Sequence, residues 1–146
     1  MPRLGDFPAG GTLFLDANIF LEHLLRSESI FTALFQRLST GEIRGVTSVA
    51  VLAEVRHRLL LTEAIRRGYV AAPHRALEVL RARPEILRHL VACDAGLNLL
   101  LETPLRVVSV TPAQFRLATM RAHRLRHLAS ADRDFRRVPR VTLWSP

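Results

Sequence analysis

Leu13-Phe14-Leu15-Asp16-Ala17-Asn18-Ile19-Phe20-Leu21 is an unbroken apolar run that stops at a carboxylate and resumes with apolar residues at helical spacing. A short apolar run of this kind fits a strand buried on both faces, the sort found in parallel sheets. In such sheets, ligands gather at the carboxyl ends of the strands, where loops and helix N-termini face them. Asp16 follows the strand directly, so it is either a site residue or the cap of the next helix. Which of the two depends on whether other acids return to the same edge.

The chain has 146 residues, enough for one domain, 1–146, that buries about 70% of the surface its unfolded form exposes. It is 49% hydrophobic, but arginines and acids interrupt every apolar run well short of the roughly 18 to 20 residues of a membrane span. Met1-Pro2-Arg3-Leu4-Gly5-Asp6 lacks the pattern of a secretory signal. A soluble, cytoplasmic protein is expected. Cys93 stands alone, so an intramolecular disulfide is excluded and a small core residue is expected. No Gly-rich strand-to-helix turn of the P-loop or GxGxxG kind occurs, which argues against a nucleotide-binding enzyme.

The formal net charge is +8, and all 21 basic residues are arginine. The absence of lysine points to a codon bias in the choice of residue. The excess of charge points to a polyanionic partner, because guanidinium pairs bidentately with phosphate and displaces its counterions.

Pro2, Gly5, Pro8, Gly10 and Gly11 make residues 1–11 a loose lead-in. Helical spacing then covers 18–26, and again 29–40 through Ile30, Leu34, Phe35 and Leu38, with Gly41 as the stop. Arg44-Gly45-Val46-Thr47 is a short strand. Ser48 caps a long helix reaching about Arg67 and stopped by Gly68, with Val49, Leu52, Val55, Leu59 and Leu60 as its core stripe. Two helical segments, parted near Arg83-Pro84, fill 73–102, and Asp94 there reads as a solvated helix acid. Residues 105–110 form a strand. Thr111-Pro112-Ala113-Gln114 is a capping box opening a helix to about Arg124. His127-Leu128-Ala129-Ser130 and Arg140-Val141-Thr142-Leu143-Trp144 are the last strands. This order predicts an α/β sandwich, a short and largely parallel central sheet flanked by helices.

Asp16 and Asp132 both follow predicted strands, and Glu54 lies on a helix that follows one. In a parallel sheet these positions converge on one edge. Three carboxylates brought together repel one another, and hard cations such as Mg²⁺ or Mn²⁺ relieve that repulsion. Such an ion also activates water and neutralises charge building on a phosphodiester. For Glu54 the spacing leaves a second option open, a surface pair with Arg58 at i,i+4. His57, close to Glu54 in sequence, reads as a partly exposed structural residue.

Thr12-Leu13-Phe14-Leu15-Asp16-Ala17-Asn18, Thr47-Ser48-Val49-Ala50-Val51-Leu52-Ala53-Glu54 and Leu128-Ala129-Ser130-Ala131-Asp132-Arg133-Asp134-Phe135 resemble, in order, the acidic motifs of the PIN domain. The likeness is strongest to the toxin ribonucleases of VapBC-type systems. It implies a three-layer PIN-like sandwich and a Mg²⁺-dependent (or Mn²⁺-dependent) endoribonuclease, homodimeric and inhibited by a cognate antitoxin. Carried over, Asp16, Glu54 and Asp132 are the catalytic, metal-holding carboxylates, Asn18 and Ser130 line the pocket, and Asp134 is an auxiliary acid. Arg121, Arg124, Arg126 and Arg133 are candidates to grip RNA beside the site. The chain departs from the pattern in one place: the family's further Asp, counted back about eighteen residues from Asp132, falls on Gln114. Either Gln114 replaces the acid or a segment carrying it is missing. The alternative function is thus a PIN-like module that binds RNA or an antitoxin without efficient turnover.

Overall fold

A computed structural model of the protein describes residues 2–109, 120–121, 123–130, 136 and 139–145. Its strands are β1 (Thr12–Leu15), β2 (Arg44–Ser48), β3 (Leu105–Val108), β4 (His127–Ala129) and β5 (Thr142–Trp144). They form one sheet in the order β3-β2-β1-β4-β5, every neighbouring pair parallel. Helices α1 (Ala17–Leu25), α2 (Thr32–Ser39), α3 (Val49–Arg66), α4 (Ala76–Ala82) and α5 (Ala92–Glu102) flank it. The architecture is the expected α/β, PIN-like one.

Leu13, Phe14 and Leu15 of β1 are fully buried, each burial contributing about 1.5–3 kcal/mol. This is why the run carries no polar alternation: β1 is the middle strand and both its faces are covered. Gly45 in β2 has a packing reason, since a Cβ there would meet Leu105 Cδ2 at 2.5 Å and Leu38 Cδ2 at 2.8 Å. Progress from β1 through β2 to β3 runs one way, and β4 returns to the other side of β1. The carboxyl ends of β1 and β4 therefore form the topological switch point, where a crevice opens in such sheets.

α3 starts as expected, with Ser48 Oγ accepting from the Val51 N–H at 3.2 Å. It ends at Gly68 (φ +74°), whose N–H donates to the Ile65 carbonyl while Tyr69 N–H donates to that of Ala64, both at 2.9 Å. These two bonds make a Schellman turn, which a left-handed residue completes. α3 packs against both α1 and α5. Glu63 is buried at that second contact, its Oε2 accepting from Cys93 N–H at 3.0 Å and its Oε1 2.9 Å from Arg67. Cys93 is buried, as expected, and burial pushes its thiol pKa up.

Four details differ from the sequence reading. The lead-in is docked, not loose: Leu4 and Phe7 are buried, Leu4 N–H bonds the Ser145 carbonyl, and Arg37 donates to the Phe7 carbonyl at 2.6 Å. α2 begins at Thr32 rather than 29, because Ser29 Oγ accepts from Phe31 N–H and holds a turn there, burying Phe31 and leaving Ile30 exposed. Val49, at the first turn of α3, is exposed, and Val51, Val55 and Leu59 form the buried stripe. The segment after Pro84 is a 3₁₀ helix, Pro84–His89, broken from α5 at Leu90 (ψ 70°). Met120 and Arg121 are helical, but the capping box 111–114 lies outside the described residues.

Candidate active site

Register brings the site together. Phe14 pairs with Val46 and Leu128, and Leu15 pairs with Ala129. Continuing each strand past those pairs aligns Ser48, Asp16 and Ser130 across β2, β1 and β4. Backbone bonds extend the alignment: Asp16 N–H donates to the Ala129 carbonyl at 3.3 Å, and Ser130 N–H to that of Trp144 at 3.2 Å. Thr47 Oγ1 donates to the Leu15 carbonyl at 3.1 Å.

The described residues include five buried polar or charged ones, and four of them, Asp16, Thr47, Ser48 and Ser130, lie at this edge. A core built to exclude water keeps such groups only where hydrogen bonds or a bound ion satisfy them. Asp16 is 0% exposed. It occupies the N-cap position of α1 with extended backbone (φ −91°, ψ 163°), yet its side chain makes no cap bond. Its Oδ2 instead accepts from Ser130 Oγ at 3.1 Å, across 114 residues of chain. The cap reading of Asp16 gives way to a carboxylate aimed along the sheet edge.

Asn18 lies in the first turn of α1, and its Oδ1 accepts from Arg58 Nη1 at 2.9 Å. The same Nη1 lies 4.0 Å from Glu54 Oε1. A single arginine on α3 thus ties Glu54 to the start of α1. Spacing showed Arg58 only as an ion-pair partner for Glu54; its link to Asn18 spans 40 residues and has no sequence signal. From Asn18 and Arg58 a groove of about 610 Å³ opens between α1 and α3, with Leu21, Leu25 and Ile30 among its walls. Asp132, Asp134 and Arg133 lie outside the described residues. Among those described, no cluster of three or more His, Cys, Asp or Glu forms a metal site.

Residues 13–141 match the family model of the PIN domain. The chain belongs to the PIN domain family. Among solved structures, this PIN domain is similar to VapBC2 from Rickettsia felis, determined bound to a DNA fragment from the promoter. The TM-score is 0.57 at 12% identity, covering 92% of this chain and 98% of that one. The likeness is one of fold. No curated protein matches the chain.

The remaining candidates of the PIN domain fall elsewhere. Arg121, Arg124 and Arg126 are exposed and precede β4, so they lie at its amino end while Ser130 lies at its carboxyl end. The three residues of β4 separate them from the site by about 10 Å. They do not border Asp16, contrary to expectation. His57 is exposed, and Asp94 accepts from Arg56 Nε at 3.0 Å as a surface pair. No described helix is long and apolar enough to cross a membrane.

Proposed function

We propose that this PIN domain is a metal-dependent endoribonuclease, the toxin of a VapBC-type pair, acting in the cytoplasm as a homodimer with an antitoxin as its protein partner. The observation that carries the reading is the fully buried Asp16, held by Ser130 at the switch point of the sheet and not spent on capping α1. The available donors, the Asp16 and Glu54 carboxylates with Asn18 Oδ1 and Ser130 Oγ, are all oxygen, the set that Mg²⁺ and Mn²⁺ prefer. Asp16, Glu54 and Asp132 would hold the ion, with Asp134 auxiliary. Bound there, it would lower the pKa of a water and offset charge on the phosphodiester.

The protein's own groups have distinct tasks. Ser130 fixes the rotamer of Asp16, so the carboxylate is oriented before any ligand arrives. Arg58, held by Asn18, places a guanidinium at the mouth of the site, where it can pair with a phosphate oxygen. The net charge of +8 supports a polyanionic substrate. The groove beside Asn18 and Arg58, where Leu21, Leu25, Ile30 and Phe31 alternate with Glu22, Arg26 and Thr62, supports a protein partner able to cover the site. Incubation of the purified protein with RNA and Mg²⁺ or Mn²⁺ should give cleavage that EDTA and Asp16→Asn each abolish. Cleavage that survives Asp16→Asn would remove the mechanism.

Gln114, standing where the family's further acid is expected, favours a second reading: a PIN module that binds RNA or antitoxin with little turnover. Calorimetry showing RNA or antitoxin binding but no Mn²⁺ uptake would select it.

A further inference from the structure

The amino edge of the sheet carries a second concentration of charge that cleavage at Asp16 does not use. A cavity of about 500 Å³ there is lined by Arg44 of β2, Arg106 of β3 and Arg124, with Leu38, Ile43 and Leu125 among its apolar walls. Among the described residues, no carboxylate lines it. Among the same residues neither Arg106 nor Arg124 forms an ion pair, whereas seven other arginines do. Arg44 is fixed in place: Nε donates to Thr12 Oγ1 at 3.2 Å and Nη2 to the Gly10 carbonyl at 2.5 Å. Like charges gathered around one hollow repel, and a polyanion relieves that repulsion.

The backbone supplies an independent observation. Arg124 N–H bonds the Arg121 carbonyl at 3.1 Å and Leu125 N–H that of Met120 at 2.8 Å. This is the same turn that closes α3, but Arg124 (φ 54°) stands where α3 has Gly68. Its one companion among described non-glycine residues with positive φ is Arg140 (φ 63°), just before β5 at the same edge. Left-handed backbone is costly for any side chain, and glycine would avoid the cost. Residues retained in such conformations mark functional sites more often than ordinary loops. Arginine guanidinium groups pair bidentately with phosphate oxygens, and a phosphodiester backbone presents such charges at regular short intervals, which favours a nucleic-acid strand as the polyanion.

We propose that this cavity is a second phosphodiester site, which holds the backbone of the RNA cut at the opposite edge at a point remote from the scissile bond. The proposal rests on the nuclease reading, and binding can be measured separately from cleavage. In an Asp16→Asn background, Arg106→Gln/Arg124→Asn should weaken binding of a 30-nucleotide single-stranded RNA about tenfold. The slope of log K against log salt should shrink by about 1.4, roughly 0.7 for each phosphate no longer neutralised. Arg81→Gln/Arg88→Gln, which removes the same charge from exposed positions elsewhere, should change both far less. With Asp16 intact, the KM for long RNA should rise about tenfold at unchanged kcat, and cleavage of a dinucleotide, too short to reach both edges, should be unaffected. Reduced RNA affinity without any cleavage by the wild type would support the site while removing the nuclease reading. Unchanged affinity and salt slope in a variant that melts like wild type would overturn the proposal, as would an equal loss in the Arg81/Arg88 control. Preferential binding of polyglutamate over RNA at these arginines would also overturn it.

Discussion

The carboxyl edge of the sheet collects buried oxygens, and the amino edge collects exposed guanidinium groups. Asp16, Thr47, Ser48 and Ser130 are all buried at the first; Arg44, Arg106 and Arg124 line a hollow at the second. Both follow from strand direction. When every strand points the same way, residues that follow strands share one edge and residues that precede them share the other. The two ends of a strand only a few residues long can therefore carry opposite chemistry. On the functions proposed above, a phosphodiester chain laid across them would be gripped at one end and cut at the other.

The comparison breaks most sharply at Asp16. Asp16→Asn should lower kcat/KM for RNA about 10³-fold, roughly 4 kcal/mol of transition-state stabilisation. The melting temperature should hold or rise, because the isosteric amide removes a buried charge. Loss of cleavage together with unfolding would instead make Asp16 structural. Ser130→Ala keeps the Asp16 carboxylate but removes one bond that orients it, so a smaller loss of about 10- to 100-fold is expected in the same assay. The amino edge should respond in KM alone: about tenfold for Arg106→Gln/Arg124→Asn on long RNA.

Single replacement of Arg124 tests whether its backbone cost is real. Arg124→Gly should stabilise the fold by about 0.5–1 kcal/mol, raising the melting temperature by about 2–4 °C, while RNA affinity falls. A drop in melting temperature would show that Arg124 supports the fold instead. The smallest effect concerns pH. Trp144 Nε1 donates to His127 Nδ1 at 3.0 Å, so the folded state favours the neutral ring. Burial, then the neighbouring Arg126, lowers the His127 pKa from its ordinary 6.5. The unfolded chain therefore takes up its proton first as pH falls, and stability that is complete above about pH 6.5 declines below it. His127→Gln should flatten that decline in thermal melts between pH 7.5 and 5. His23, also shifted down by burial, leaves a residual slope.

Strands and their order were legible because β1 and β2 announce themselves locally, by an apolar run and by the Ser48 cap. Asp16 and Glu54 were legible as candidates for the same reason: each follows a readable element. What escaped the sequence was long-range or cooperative. The Ser29 turn delays α2 by side-chain bonding that competes with the helix, and the break at Leu90 has no glycine or proline to mark it. The lead-in is held by Phe7 packing edge-on against Trp144 at 4.6 Å, a contact between opposite ends of the chain. The misplacement of Arg121, Arg124 and Arg126 is a different kind of miss. Their position before β4 was in the sequence, and a parallel sheet assigns residues in that position to the amino edge.

The bond between Ser130 and Asp16 joins the first strand to the fourth. During synthesis β1, β2 and β3 precede β4, so a growing chain can pair β1 with β2 long before the partner of Asp16 exists. Closing that contact is a late event of high sequence separation. With its pocket split between early and late strands, the chain would complete the proposed active site only once β4 has joined the sheet.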